Sequence, residues 1–176
     1  MNSTSIALAA VLLASAAPPV RALPGFRALP AASVEQRNYE QGRGLALDLI
    51  GRARPALSGR NARIADAALP ELRDARFLAS SDRASWRTCA GGRYSLFVSE
   101  REPGRIFVCN DVRPHAQAGG ADAVAILAQG FVHESAHLAG ERDECVATAF
   151  ELAVMDRTIG RRSAGSRIRY GAQCGR

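Results

Sequence analysis

Residues His133-Glu134-Ser135-Ala136-His137 form the one HExxH segment in this chain of 176 residues. On a helix, side chains four apart stand on one face, one turn above the other. Two imidazoles so placed can hold one tetrahedral metal ion at roughly 2.0–2.1 Å. The carboxylate of Glu134, beside the first histidine, can reach water at the open position and take its proton. The types and spacing therefore point to metal-assisted hydrolysis, with His133 and His137 as ligands and Glu134 as general base.

Such a site needs a helix under it and a third protein ligand. Val124, Leu127, Phe131 and Leu138 recur at helical spacing between Asp122 and Ala139, which predicts a helix of about 17 residues. Gly119-Gly120 precede it and Gly140 follows, as start and stop signals. A second helical pattern carries Val146, Phe150 and Ala153 and ends at Gly160. The expected arrangement is helix, tight turn, helix. A carboxylate opening the second helix would swing back over the first, at an N-terminus that favours anions. Glu144 is the expected ligand. Asp143 is the alternative, or else the N-cap of that helix, and Glu141 stands too close to the turn.

With these residues in view, the chain resembles the zincin metallopeptidases. HESAH followed by LAGERD and Glu144 is similar to the gluzincin arrangement, in which a Glu on the next helix completes the metal site, although the interval here is shorter than in thermolysin-like enzymes. A second resemblance is to the aspzincin (deuterolysin-like) group, where a Cys-bounded β-hairpin precedes the HExxH helix and an Asp is the third ligand. Cys89, a hairpin and Cys109 stand in that order, but the Gly-Thr-x-Asp pattern of that group is absent. The resemblance covers about residues 86 to 156. It implies a Zn2+-dependent hydrolase of peptide bonds, acting on a peptide or protein substrate, including peptidoglycan cross-link peptides. It implies an α+β fold: a small zincin-like domain, mostly helical, with a β-hairpin or small sheet packed beside the HExxH helix. Tyr94, Tyr170, His115 and the arginines are candidates to stabilise an oxyanion. His115, in Arg113-Pro114-His115, reads as a surface-loop histidine.

The rest of the chain sets the context. Residues 6–14 are an apolar run followed by Ala14-Ser15-Ala16 and Val20-Arg21-Ala22, which reads as a signal peptide over 1–22 processed near Ala22. That run is too short to span a bilayer comfortably, and no other segment could do so. Residues 23–32 read as a flexible arm and 33–176 as one domain. Four cysteines in an exported chain imply two disulfides, with three connectivities open. Cys89 with Cys109 and Cys145 with Cys174 is the expected pairing, the second pinning the helix of Glu144. A cysteine metal site is disfavoured because no CxxC is present.

Ser33-Val34-Glu35-Gln36 reads as a capping box opening a helix toward Arg54, stopped by Pro55. Asn61 to Phe77 reads as a second helical stretch interrupted at Pro70. Arg93 to Ser99 and Arg105 to Val112 alternate as strands around a Pro103-Gly104 turn, and this hairpin is the candidate edge for pairing with extended substrate. All 23 basic residues are Arg and the net charge is +6, with a local cluster at Arg157, Arg161, Arg162, Arg167 and Arg169. That balance suggests anionic surfaces or acidic substrates. Nucleic-acid binding is disfavoured, because aromatics are few and not interleaved with the arginines. The contrasting function is a non-catalytic, disulfide-stapled envelope or secreted binding protein that keeps the zincin scaffold.

Overall fold

The computed structural model describes residues 23–89, 95–159 and Cys174. The segment expected to be a signal peptide, Tyr94, Tyr170 and the arginines at 161, 162, 167 and 169 lie outside the described residues. The described chain is α+β. In order it runs β1 (Phe26–Arg27), α1 (Val34–Ala53), a single 3-10 turn (Arg54–Ala56), α2 (Gly59–Asp74), β2 (Arg76–Ser80), α3 (Arg83–Thr88), β3 (Leu96–Val98), β4 (Arg105–Val108), α4 (Arg113–Ala118), α5 (Ala121–Leu138) and α6 (Glu144–Thr158).

Local chemistry sets the ends of α1. Ser33 is the N-cap, its Oγ accepting from the Gln36 amide at 3.1 Å. The reciprocal half of the capping box is not made, because the Gln36 side chain donates forward to Glu40 at 2.8 Å. The helix ends at Ala53: Arg54 is still helical and donates to the Ile50 carbonyl, but Pro55 has no N–H to continue the ladder, and the chain tightens into the 3-10 turn.

The four strands form one sheet in the order β1-β2-β4-β3. β2 and β4 pair in parallel, with Phe77 opposite Ile106. β3 pairs antiparallel to β4, with Phe97 opposite Phe107 and their rings stacked at 4.8 Å. Alternation along the strands divides the sheet's side chains between two faces. Phe77, Ile106 and Val108 join the main core with Tyr39, Leu127, Phe131 and Phe150 from α1, α5 and α6. Leu78 and Phe107 join Phe26 and the Cys89–Cys109 disulfide in a smaller cluster on the other face. Helix α1 lies tight against α5: a Cβ added at Gly42 would stand 2.9 Å from Leu127 Cβ and 3.0 Å from the Phe131 ring.

Three readings of the sequence are corrected. α2 runs through Pro70 and ends at Asp74, and Arg76–Ser80 is not its continuation but the buried strand β2. A short, fully buried strand has no period-two signature to separate it from buried helix. The flexible arm expected over 23–32 contains β1, which pairs with β2 and buries Phe26. The hairpin is also shorter than expected: β4 ends at Val108, and Val112 is already the N-cap of α4, so that His115 sits on a helix rather than in a loop.

Candidate metal centre

Gln129, His133 and His137 follow one another every fourth residue along the same face of α5. The helix then ends in a full Schellman turn. Gly140 adopts φ 89°, its amide donates to the His137 carbonyl at 3.0 Å, and the Glu141 amide donates to the Ala136 carbonyl at 3.0 Å. This turn carries the Glu141 carbonyl back to 2.6 Å from His137 Nδ1. The stop signal of the helix is thus also what orients its last histidine.

Asp143 then caps α6, its Oδ1 accepting from the amides of Cys145 at 2.8 Å and Val146 at 3.3 Å. With Asp143 spent on the cap, the next residue, Glu144, points its carboxylate at α5. Glu144 Oε2 lies 3.2 Å from His133 Nε2, and Glu144 Oε1 lies 3.5 Å from His137 Nε2. Cys145, the following residue, is bonded to Cys174, so a covalent link holds the chain beside Glu144.

His133, His137 and Glu144 each offer a ligand atom, and the three atoms lie within 4.8 Å of one another, so that they could hold a metal ion. Ligand atoms around a tetrahedral ion at about 2.0–2.1 Å stand roughly 3.3 Å apart. The two histidine–glutamate separations, made to different oxygens of Glu144, are close to that figure. The other ring nitrogens are accounted for as well: His133 Nδ1 is 3.3 Å from Glu151 Oε2, and His137 Nδ1 is bound to the Glu141 carbonyl. With each Nδ1 facing an acceptor, Nε2 is the nitrogen that each ring, once neutral, would offer to an ion at the common point. His137 Nε2 is shielded from solvent and has no hydrogen-bond partner among the described residues, with Glu144 Oε1 at 3.5 Å as its nearest acid.

The electrostatics agree. Burial by itself disfavours a charged His133. The hydrogen bonds to Glu144 and Glu151 and the charge of Glu134 outweigh that effect and lift His133 to about 10. The same carboxylates would favour a metal cation, which would have to displace that proton from the ring. The Glu144 carboxyl is pulled below its ordinary value, chiefly by its bond to His133. Glu134 behaves oppositely. Burial raises it to about 6 against the pull of both histidines, with Glu144 and Glu151 adding to the rise. Its Oε2 is buried with no partner among the described residues, a costly state unless a ligand completes it.

A cleft of about 980 Å³ opens over this group, lined in part by His133, Glu134, His137 and Glu144. One wall is β3, which among the described residues pairs with β4 alone and so stands at an edge of the sheet. Its approach to α5 depends on Gly130, where an added Cβ would fall 2.4 Å from Leu96 Cδ1. His115, exposed on α4, also lines the cleft.

Glu151 was not anticipated from the sequence. It is 4 % exposed, inside an apolar helix, and accepts from the Gln129 side chain at 2.6 Å. The available signal was its interval of seven from Glu144, which puts both acids on one face of α6.

No protein-family model, curated protein or solved structure matches this chain.

Proposed function

We propose that this protein is an exported zinc-dependent metallopeptidase that hydrolyses peptide bonds, with His133, His137 and Glu144 as metal ligands and Glu134 as general base. The observation that carries this reading is the convergence of two Nε2 atoms and one carboxylate, with both Nδ1 atoms already engaged, beside a buried carboxylate that has an unpartnered oxygen.

Each residue then has a task. Glu151 and the Glu141 carbonyl keep the two rings turned so that Nε2 faces the ion. A zinc ion bound there supplies Lewis acidity, acidifying water and polarising the scissile carbonyl. Glu134, raised to about 6, is ionised at neutral pH yet basic enough to take a proton from the attacking water and return it to the departing amide nitrogen. Extended substrate laid along the free edge of β3 would exchange main-chain hydrogen bonds with it and cross the cleft beside Glu134. Export is supported by two disulfides, and no described helix is long and apolar enough to cross a membrane.

The test is Glu134→Gln. The change removes the proton acceptor and leaves all three ligands in place. Zinc binding, measured by titration calorimetry, is expected to persist while hydrolysis of a casein-type substrate is lost. Equal turnover by the variant and the parent would remove Glu134 from the mechanism.

A further inference from the structure

The cleft inverts the charge balance of the chain. The protein carries 23 arginines against 17 acids. Among the described residues that line the cleft, Arg142 is the one arginine, whereas Glu71, Glu100, Asp111 and Glu141 stand around the rim outside the histidine–glutamate group.

Existing partners sort these charges. Arg142 and Glu100 are paired at 2.7 Å, so each offsets the other and neither adds to the cleft's net charge. Glu141 faces Arg60 at 2.6 Å from outside the cleft lining. Among the described residues Asp111 accepts from the uncharged Ser95 hydroxyl, at 2.5 Å, and has no cationic partner there. Glu71 is exposed on α2. Inside, Glu134 keeps its buried oxygen without a partner and Glu151 adds a second carboxylate behind His133.

The negative groups are also spaced along the free strand edge. Ser95, bonded to Asp111, precedes β3, and Glu100 follows it by two residues. From Ser95 to Glu100 an extended chain covers about 16 Å. A peptide added to β3 would therefore have carboxylates near both of its ends. Low-dielectric walls focus such a field into the cleft.

The geometry points to a cationic substrate: an extended peptide segment carrying Arg or Lys on both sides of the bond to be cut, laid along β3 between Asp111 at one end and Glu71 at the other. This rests on the peptidase reading of the same cleft. It reverses what the net charge of the chain suggests, because substrate meets the cleft's charges before it meets the protein's total. The basic exterior and the acidic cleft are separate devices, and only the cleft selects what is cut.

Three quenched-fluorescence peptides of equal length and identical apolar positions test this, flanked on both sides by Arg, by Gln or by Glu. With the zinc-loaded protein at low salt, kcat/KM is expected to fall in that order, by roughly tenfold from Arg to Gln, since each exposed charge pair contributes a few-fold. The gap should shrink in 0.5 M salt, where screening reaches only about 4 Å. Glu71→Gln combined with Asp111→Asn should lower kcat/KM for the Arg peptide several-fold more than for the Gln peptide, so that the ratio between the two falls. Glu71→Gln alone, at an exposed helix position, gives a smaller loss of the same kind should the double variant not fold. Equal rates on the three peptides, a preference for Glu, or a preference that salt and both variants leave untouched would overturn the proposal.

Binding separates this outcome from failure of the peptidase reading. The same peptides, labelled with a fluorophore, are titrated against zinc-loaded Glu134→Gln and followed by anisotropy. Tighter, salt-sensitive binding of the Arg peptide upholds the charge preference even where no peptide is cleaved by the parent. Indifferent binding overturns it whether or not hydrolysis is seen.

Discussion

Glu151 Oε2 lies 3.3 Å from His133 Nδ1, on the side of the ring opposite to Glu144. The two acids come from one face of α6, two turns apart, and grip the ring from both ends. Glu144 is exposed and its bond can be given up to an ion. Glu151 is buried and anchored to Gln129, so it fixes which nitrogen remains available.

This relationship predicts the behaviour of Glu151→Gln. The amide is isosteric and keeps the packing, but loses the charge that supports a donating Nδ1. Losing a carboxylate behind a ligating histidine costs about 10–100-fold in metal affinity. Competition with a chromogenic chelator should show that weakening, with little change in the far-ultraviolet spectrum. Unaltered zinc affinity would mean that the Glu151 contact does not orient His133 for metal.

Gly140 should be as sensitive for a different reason. Its φ of 89° lies where a Cβ is strained, at about 1–2 kcal/mol. Gly140→Ala is thus expected to lower Tm by roughly 2–6 °C for a domain of this size. It should also loosen the Glu141 carbonyl from His137 Nδ1, so zinc affinity falls along with stability. A variant that melts lower but binds zinc as before would show that the Schellman turn shapes the helix end alone.

Acid should destabilise the protein through Glu35. This carboxylate on α1 takes two hydrogen bonds from Arg113 on α4, at 2.6 and 2.8 Å, with Tyr39 and Gln117 donating as well. Burial raises its affinity for protons, but these bonds outweigh burial and hold the carboxyl below 4.5. A depressed folded-state value contributes stability that is complete above the unfolded value of 4.5 and is lost as pH falls through the lower, folded value. Stability should therefore begin to fall below about pH 5. Glu35→Gln should be less stable at pH 7, on the order of 3 kcal/mol, because Arg113 is left without its counter-charge, and should lose less on acidification. Urea unfolding at pH 7 and pH 4 checks both halves; parallel losses in parent and variant would place the acid sensitivity elsewhere.

What the sequence disclosed follows from where the physics is local. His133, Glu134 and His137 are set by one helix, so their spacing alone states the geometry. The Ser33 cap, the Pro55 stop, the Pro103-Gly104 turn and the Gly140 stop are likewise decided within a few residues. The disulfides Cys89–Cys109 and Cys145–Cys174 match the expected pairing, helped by an even count and well-separated positions. Elements decided by distant partners were hidden. Arg76–Ser80 is a strand only because β1 and β4 flank it, and Phe26 is buried only because Phe97 and Phe107 receive its ring edge-on. Pro70 was misread because a helix already held by tertiary packing survives the loss of one hydrogen bond. Glu151 went unnoticed because a lone acid in an apolar helix carries no sign of the histidine it meets across the helix pair.

The central claim is that two imidazoles and the Glu144 carboxylate share one ion. A crystal structure of the zinc-loaded protein, with anomalous data at the zinc absorption edge, measures this directly. The account predicts a single zinc per chain on His133 Nε2, His137 Nε2 and a Glu144 oxygen at about 2.0–2.1 Å, with Asp143 still capping α6 and a fourth position open toward Glu134. Zinc held by Asp143 in place of Glu144, an ion bound elsewhere, or no ion at saturating zinc would contradict it.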